Sequence, residues 1–395
     1  MYFWSLLLFI SLFIVCYTYA GYGVLLYILV KLKELLFGKR PAPAGEPPVT
    51  LLIAAYNEAD FIAAKVANTL ALDYPEEKLE IIFVTDGSTD ATPAILAQHS
   101  RIRLLHDAQR SGKSAAINRA MAYVSHPVTV FCDANTLLNP GAIRKLAAHF
   151  SDAQVGAVAG EKKVMATADS GAEGAGEGLY WKYESKLKQW DASLYSVMGA
   201  AGELFAVRTE LYEPIPSHCI LDDFIISFRI NMRGYTVMYE PGAFATETAS
   251  ASLADEYKRK VRISAGGFQS IGMLLPLLNP FRFPKITFQY ISHRVLRWTL
   301  APLCLLLALL ANIVLVVQGA GTFFTGLLAA QLLFYGAAFS GYLLARKNVK
   351  VKYLYVPFYF VFMNWAVFHG FFRFLGKKQS AVWERSQRRL STPGV

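Results

Sequence analysis

Hydrophobic and polar positions fall into long blocks along this chain. Residues 1–30 contain no charged side chain, and neither do 298–345, whereas the stretch between them mixes apolar and polar positions as a water-facing domain does. The first block predicts a retained membrane helix within 1–32. Its apolar run, 3–30, would reach roughly 42 Å at 1.5 Å per residue, beyond the ~30 Å hydrocarbon core. A signal peptide is the alternative, but no basic leader precedes the run and no small-residue cleavage site follows a short apolar core. In the late block, Gln318-Gly319-Ala320-Gly321-Thr322 breaks the run into two membrane helices, 295–318 and 322–345. A last apolar stretch, 353–373, holds Pro357, Asn364 and His369 and has basic flanks. It reads as transmembrane, re-entrant or interfacial. A full crossing would put the basic tail, 374–395, outside, against the positive-inside rule. Residues 263–290 include an uncharged run with two prolines and three glycines between 264 and 281, which suits an amphipathic segment lying in the interface.

The middle block, 48–262, changes period. Short β-rich runs at 49–54, 80–85, 102–105, 128–132 and 155–159 alternate with helical patterns such as 59–71 and 114–124. That alternation predicts an α/β domain with a mostly parallel sheet covered by helices. Ligands of such sheets bind beyond the carboxyl ends of the strands.

Composition sharpens the division. The 395 residues are 54% hydrophobic and only 17% charged, with a formal net charge of +10, and the mean hydropathy is +0.33. This excludes a disordered or nucleic-acid-binding tail protein and argues against an all-soluble enzyme. Cys16, Cys132, Cys219 and Cys304 have no short repeat spacing, so neither a disulfide framework nor a CxxC metal site is supported. The basic flank after the first apolar block, Lys31 to Arg40, places the following domain on the cytoplasmic side of an integral plasma-membrane protein.

Polar clusters sit at the predicted strand ends: Tyr56-Asn57-Glu58, Asp86-Gly87-Ser88-Thr89-Asp90 and Asp133-Ala134-Asn135. A single Asp there would be an ordinary turn former or helix cap. Three such clusters on one edge suit a ligand rich in hydroxyls or a hard cation with phosphate oxygens, Mg²⁺ or Mn²⁺. No GxGxxG follows the first strand, and Ser111-Gly112-Lys113-Ser114 lacks the opening glycine of a Walker A loop.

These clusters, with Gly112-Lys113 and Asn118, Gly202-Glu203-Leu204-Phe205, Leu221-Asp222-Asp223 and Arg259-Lys260-Val261-Arg262, follow the order seen in family 2 glycosyltransferases. The chain most resembles the membrane-embedded polysaccharide synthases related to cellulose, hyaluronan and poly-N-acetylglucosamine synthases. The motifs cover about 48–275. The resemblance implies a GT-A-like, Rossmann-related domain flanked by transmembrane helices, using a UDP-sugar donor, Mg²⁺ or Mn²⁺, and a carbohydrate or glycolipid acceptor. It implies that Tyr56, Asn57, Glu58 and Asp86 hold the nucleoside, and that Lys113 and Arg262 meet the diphosphate. Asp133 and Asn135 would hold the metal, Gly202, Glu203 and Asp222 the acceptor, and Asp223 would be the general base of an inverting transfer. For Asp222 and Asp223 the alternative is N-capping of the helix Phe224–Met232. For Trp190, Tyr180 and Trp181 it is core or interface packing rather than sugar stacking.

Three positions depart from the family pattern. Asn135 stands where most members have Asp, Arg259 where they have Gln, and Ile263 where they have the Trp that helps seat a growing polymer. The reaction expected is hexose or N-acetylhexosamine transfer to a poly- or oligosaccharide, with a homo-oligomer or export partner completing any polymer pore. A single addition to a lipid-linked acceptor is the alternative. A nucleotide-sensing membrane protein without turnover is a third reading. No nucleic-acid partner is expected.

Overall fold

The computed structural model describes residues 1–38, 40–165, 173–248, 252–347, 349 and 351–376. The side chains of 165, 173–181 and 248, and with them Tyr180 and Trp181, lie outside the described residues, as does the tail from 377.

Runs of β-branched and aliphatic residues buried on both faces make the central strands. β1 (Val49–Ala55) is buried at every position, and β2 (Leu79–Asp86) at all but one. β3 (Ile102–Asp107), β2, β1 and β4 (Val128–Asp133) pair in parallel. Beyond β4 the sheet continues through β7 (Leu204–Arg208), β6 (Val155–Met165), β8 (Thr236–Thr248) and the two-residue β5 (Leu137–Leu138), in the order β3-β2-β1-β4-β7-β6-β8-β5. β7 runs antiparallel to both its neighbours, and β5 antiparallel to β8. The sequence pattern located the five strands β1–β4 and β6. β5, β7 and β8 lie outside those expected runs. β6 runs six residues past the predicted end at 159, paired with β8.

α2 (Ala59–Leu70), α3 (Thr92–Leu96), α4 (Lys113–Met121) and α5 (Ala142–Ala148) connect the strands, and α6 (Glu173–Leu194) lies between β6 and β7. α7 (Asp222–Met232) follows β7 and precedes β8. One hydrophobic core joins both faces of the sheet, from Leu51 and Ile53 through Phe83, Phe131 and Phe205 to Phe228 and Tyr290.

The membrane-associated part begins with α1 (Tyr2–Phe37), one helix interrupted by a π-turn at Tyr17–Gly21. Its first half packs through Leu8 on Ala308, Ala311 and Leu315, and its second half through Tyr22 and Leu26 on Leu187 of α6. The helix therefore passes the expected end at 32 and joins the sheet domain. α8 (Leu253–Met273) starts on a Ser252 cap that accepts from the Asp255 backbone amide. It runs unbroken through 262/263, the boundary expected between the domain and the interfacial segment. α9 comprises Pro284–Tyr290, a π-turn at Ile291–Val295 and Leu296–Trp298; α10 (Leu300–Val317), α11 (Thr322–Arg346) and α12 (Lys352–Leu375) complete the chain. α1, α10, α11 and α12 are long and apolar enough to cross a membrane. α12 lies along α8 in the same direction, with Leu253 against the cluster of Tyr355, Phe358 and Tyr359, Phe362 beside Tyr257 and Phe371 beside Phe268.

Candidate active site

The parallel pairing brings the ends of β1, β2 and β4 to one edge. β7 begins at that edge, because Leu204 pairs with Cys132. The late part of β6 runs beside β8 there, pairing Lys162 with Ala245 and Val164 with Glu247.

At the β2 end, the Asp86 carboxylate accepts from the Ser111 amide at 3.0 Å and the Gly112 amide at 2.6 Å. It thereby fixes the loop leading into α4. Gly87 (φ 66°) and Gly112 (φ 95°) take left-handed backbone there, and a Cβ on Gly87 would lie 2.6 Å from Arg110 Cβ. Tyr56, Asp86, Arg110, Gly112 and Lys113 line one pocket, with the Arg110 guanidinium 3.8 Å from the Tyr56 ring centre. Asn57 sits at φ 51°, a conformation Asn tolerates. Its Oδ1 accepts from the Thr89 amide at 2.8 Å, so it ties the β1 and β2 loops together. Glu58 is buried, and its amide donates to Thr92 Oγ1.

The next group is electrostatically denser. Lys113 Nζ lies 2.7 Å from Asp133 Oδ1 and 3.8 Å from Asp222 Oδ2. A Cβ on Gly202 would stand 3.5 Å from Asp223 Oδ2 and 3.8 Å from Lys113 Nζ, so the missing side chain leaves room beside both. Of the two glycines in that turn, Gly199 (φ 96°) is the one in the left-handed region. α7 starts at Asp222 with Leu221 in the cap position, so both carboxylates occupy its first turn, where the helix dipole favours negative charge. Burial, then the adjacent Asp222 carboxylate, push Asp223 up to about 7 against the pull of Lys113. Burial also raises Asp133, opposed by Lys113. For Lys113 burial works downward, yet the carboxylates around it hold its pKa well above the ordinary ammonium value.

Among the described residues no three His, Cys, Asp or Glu side chains gather as a metal cage. Asp133 and Asn135 nevertheless offer the hard oxygen donors that Mg²⁺ or Mn²⁺ takes. Mg²⁺ typically keeps only one or two protein carboxylates and completes its shell with phosphate oxygens and water. The donor set fits a cation that arrives with a diphosphate. Its loop is held from below by Lys65, fully buried, whose ammonium donates to Thr136 O at 2.8 Å and contacts Cys132 Sγ at 3.0 Å.

Glu203 faces a second buried cation. Lys162 Nζ lies 2.5 Å from Glu203 Oε1 and also pairs with Glu247; Arg259 on α8 meets Glu247 at 3.3 Å and Glu256 at 2.9 Å. Burial alone would lift Glu203, but Lys162 brings it down to about 2. Glu203, expected as an acceptor contact, also takes part in an ion chain that anchors α8. Sequence reading missed Lys65, Lys162 and Glu247. A lysine in Glu161-Lys162-Lys163 reads as solvated, and no short-range signal marks it as buried. α8 also clamps the loop before Asp222: Gln269 accepts from the Ile220 amide at 3.1 Å and donates to His218 O at 3.0 Å. Arg262, half-buried on this helix, has its pKa lowered by burial, while Asp222 and Asp133 act the other way.

A mixed sheet whose acidic strand ends meet a helix-borne carboxylate pair and a lysine defines a glycosyltransferase domain of GT-A type. Residues 50–214 match the family described as Glycosyl transferase family 2. Over 281 residues it is 27% identical to the poly-beta-1,6-N-acetyl-D-glucosamine synthase of Staphylococcus aureus (strain MSSA476), covering 68% of this chain and 66% of that protein. Over 283 residues it is 24% identical to the enzyme of that name from Staphylococcus epidermidis, with the same coverage. The chain thus spans just under two thirds of the length of these relatives. The fold is shared with the mannosyltransferase PcManGT of Pyrobaculum calidifontis, solved with GDP-Man and Mn²⁺. That match has a TM-score of 0.71 at 22% identity, and covers 94% of this chain and 100% of the other.

Proposed function

We propose that this chain transfers a hexose or N-acetylhexosamine from a UDP-sugar to a poly- or oligosaccharide acceptor at the membrane, by a metal-dependent, inverting reaction on the cytoplasmic side. The observation that carries the reading is the crevice holding Asp133, Asp222 and Asp223 around Lys113, with Gly202 leaving space beside the base. The polysaccharide synthases named above support the substrate class, and the fold neighbour's GDP-Man and Mn²⁺ support the kind of donor and cation.

In this reading Tyr56 and Asp86 bound the nucleoside pocket, and Lys113 and Arg262 meet the diphosphate. Asp133 and Asn135 would hold Mg²⁺ or Mn²⁺, which when bound supplies Lewis-acid neutralisation of the leaving group. Asp223 takes the proton of the acceptor hydroxyl as its oxygen attacks the anomeric carbon from the face opposite UDP. The bond to the diphosphate breaks, and its electron pair leaves on phosphate oxygen. A carboxyl near pKa 7 suits this work, since a general base is most effective when its pKa lies near the operating pH.

A second reading, one addition to a lipid-linked acceptor, is favoured by the surface of α11. Leu333 is 74% exposed and Phe339 61%, so this helix presents large apolar side chains outward, where a lipid-linked acceptor could lie. Purified full-length protein incubated with a panel of UDP-sugars is expected to release UDP. A ladder of products supports polymer synthesis, and a single glycolipid supports the second reading. No UDP binding and no release from any donor would sink both.

A further inference from the structure

Among the described residues the arginines are almost all engaged. Arg119, Arg144, Arg229, Arg259, Arg294 and Arg297 pair with carboxylates, and Arg110, Arg282 and Arg346 cover aromatic rings. Among the described residues, Arg262 and Arg373 are the two arginines with no hydrogen bond, ion pair or ring contact. Both are half-buried.

They come from two helices held close together. A Cβ on Gly370 of α12 would lie 2.5 Å from Ser264 Cβ and 2.9 Å from Ala265 N, so α12 lies directly on the backbone of α8 there. Arg262 lies just before this contact on α8, and Arg373 one turn beyond it on α12. The charge of Arg373 acts on Arg262 and, with burial, lowers its pKa. The carboxylates that attract Arg262, Asp222 and Asp133, are themselves faced by Lys113. Around Arg373 the helix is apolar and outward-facing, with Phe372 65% and Leu375 57% exposed, so the pair lies between the crevice and an apolar surface suited to lipid. Two guanidinium groups that no carboxylate contacts directly among the described residues repel one another, and a planar fork of donors matches a phosphate.

We propose that Arg262 and Arg373 together seat one phosphate group at the membrane-side end of the crevice, so that α12 supplies a ligand-binding residue. This rests on the crevice being a nucleotide-sugar site. The phosphate belongs either to the donor's diphosphate or to a lipid lying in the interface. An arginine that merely reaches up to headgroups from a helix end would act without Arg262.

The test uses full-length protein in phosphatidylcholine nanodiscs, titrated with UDP, and in parallel with short-chain phosphatidic acid. Arg262→Gln and Arg373→Gln should each weaken the same ligand by about tenfold, as expected for one charge-assisted contact. The double variant should fall well short of the hundredfold loss that independent sites would give. Arg373→Lys, which keeps the charge but loses the fork, should lie between, and it decides the matter if Arg373→Gln does not fold. Loss confined to UDP assigns the site to the donor; loss confined to phosphatidic acid assigns it to a lipid phosphate. Wild-type binding of both ligands by the Arg373 variants, or fully additive losses, overturns the proposal. If the wild-type protein binds no UDP, the functional reading falls separately, and the pair is judged on the lipid titration alone.

Discussion

Two groups of buried charge in this molecule are built to opposite rules. At the seam between α1, α6 and α9, His293 bridges Asp191 at 2.5 Å and Glu184 at 3.1 Å. Arg294 and Arg297 close on Glu184 at 3.0 and 2.8 Å, and Tyr22 and Gln289 donate to Asp191. Burial would raise Glu184, but the surrounding cations hold its pKa well below the carboxylate range. The crevice reverses this. Asp133, Asp222 and Asp223 share Lys113, and burial wins at Asp223. A charge cluster that is balanced from within holds elements together. One left with surplus negative charge is poised for a cation and a proton.

The largest effect expected is on chemistry. Asp133→Ala should abolish transfer at every Mg²⁺ or Mn²⁺ concentration. Asp223→Asn should keep UDP-sugar binding while losing roughly 10²–10⁴-fold in turnover, the usual worth of a general base. Near wild-type turnover of Asp223→Asn would falsify the base assignment. At the seam the expectation is the converse. Glu184→Gln should lower stability by about 3–5 kcal/mol, the cost of breaking a buried pair, read as a fall in melting temperature, with the pH profile of the surviving activity unmoved. A shifted profile would mean the two clusters are not separate in function.

Smaller effects sharpen the contrast. Asp222→Asn removes the neighbour that raises Asp223, so the acidic limb of kcat/KM should move to lower pH; a limb that stays or rises contradicts the coupling. Because Asp223 is raised from 3.8 to about 7 on folding, the folded state binds the extra proton in that window. The stability this provides is present below the unfolded value and is lost as pH rises through the folded one. Asp223→Asn should therefore melt higher than wild type near pH 8, with the gap closing in acid.

Much of this was legible in the chain itself because it is local. Parallel strands covered on both faces read as apolar runs, and the polar residues capping them, Asn57, Asp86 and Asp133, are adjacent in sequence to the strands that place them. Asp222 and Asp223 stood out as paired acids before an amphipathic stretch. What stayed hidden depends on pairing across long separations. β7 inserts between β4 and β6 from some fifty residues downstream of β6's start, and no turn signal announces it. Lys162 and Glu247 become partners only because β6 and β8 run side by side. Lys65 looks like any helix-surface lysine until the β4 loop closes over it. α8 was divided in two at 262 because its charged first half and uncharged second half read as different environments, whereas the backbone treats them as one.

The length of α1, which continues through its π-turn, carries a mechanical consequence. At 1.5 Å per residue the helix measures roughly 54 Å, and Lys33 near its far end donates to the carbonyls of Ser193 and Leu194 at 2.9 and 2.7 Å. In the proposed reaction it would work as a ruler, setting how far from the bilayer the crevice is presented. An excised soluble fragment would lose that height reference along with the partners of Asp191, so acceptors ought to be sorted by where their reacting hydroxyl rides relative to the bilayer as much as by their chemistry.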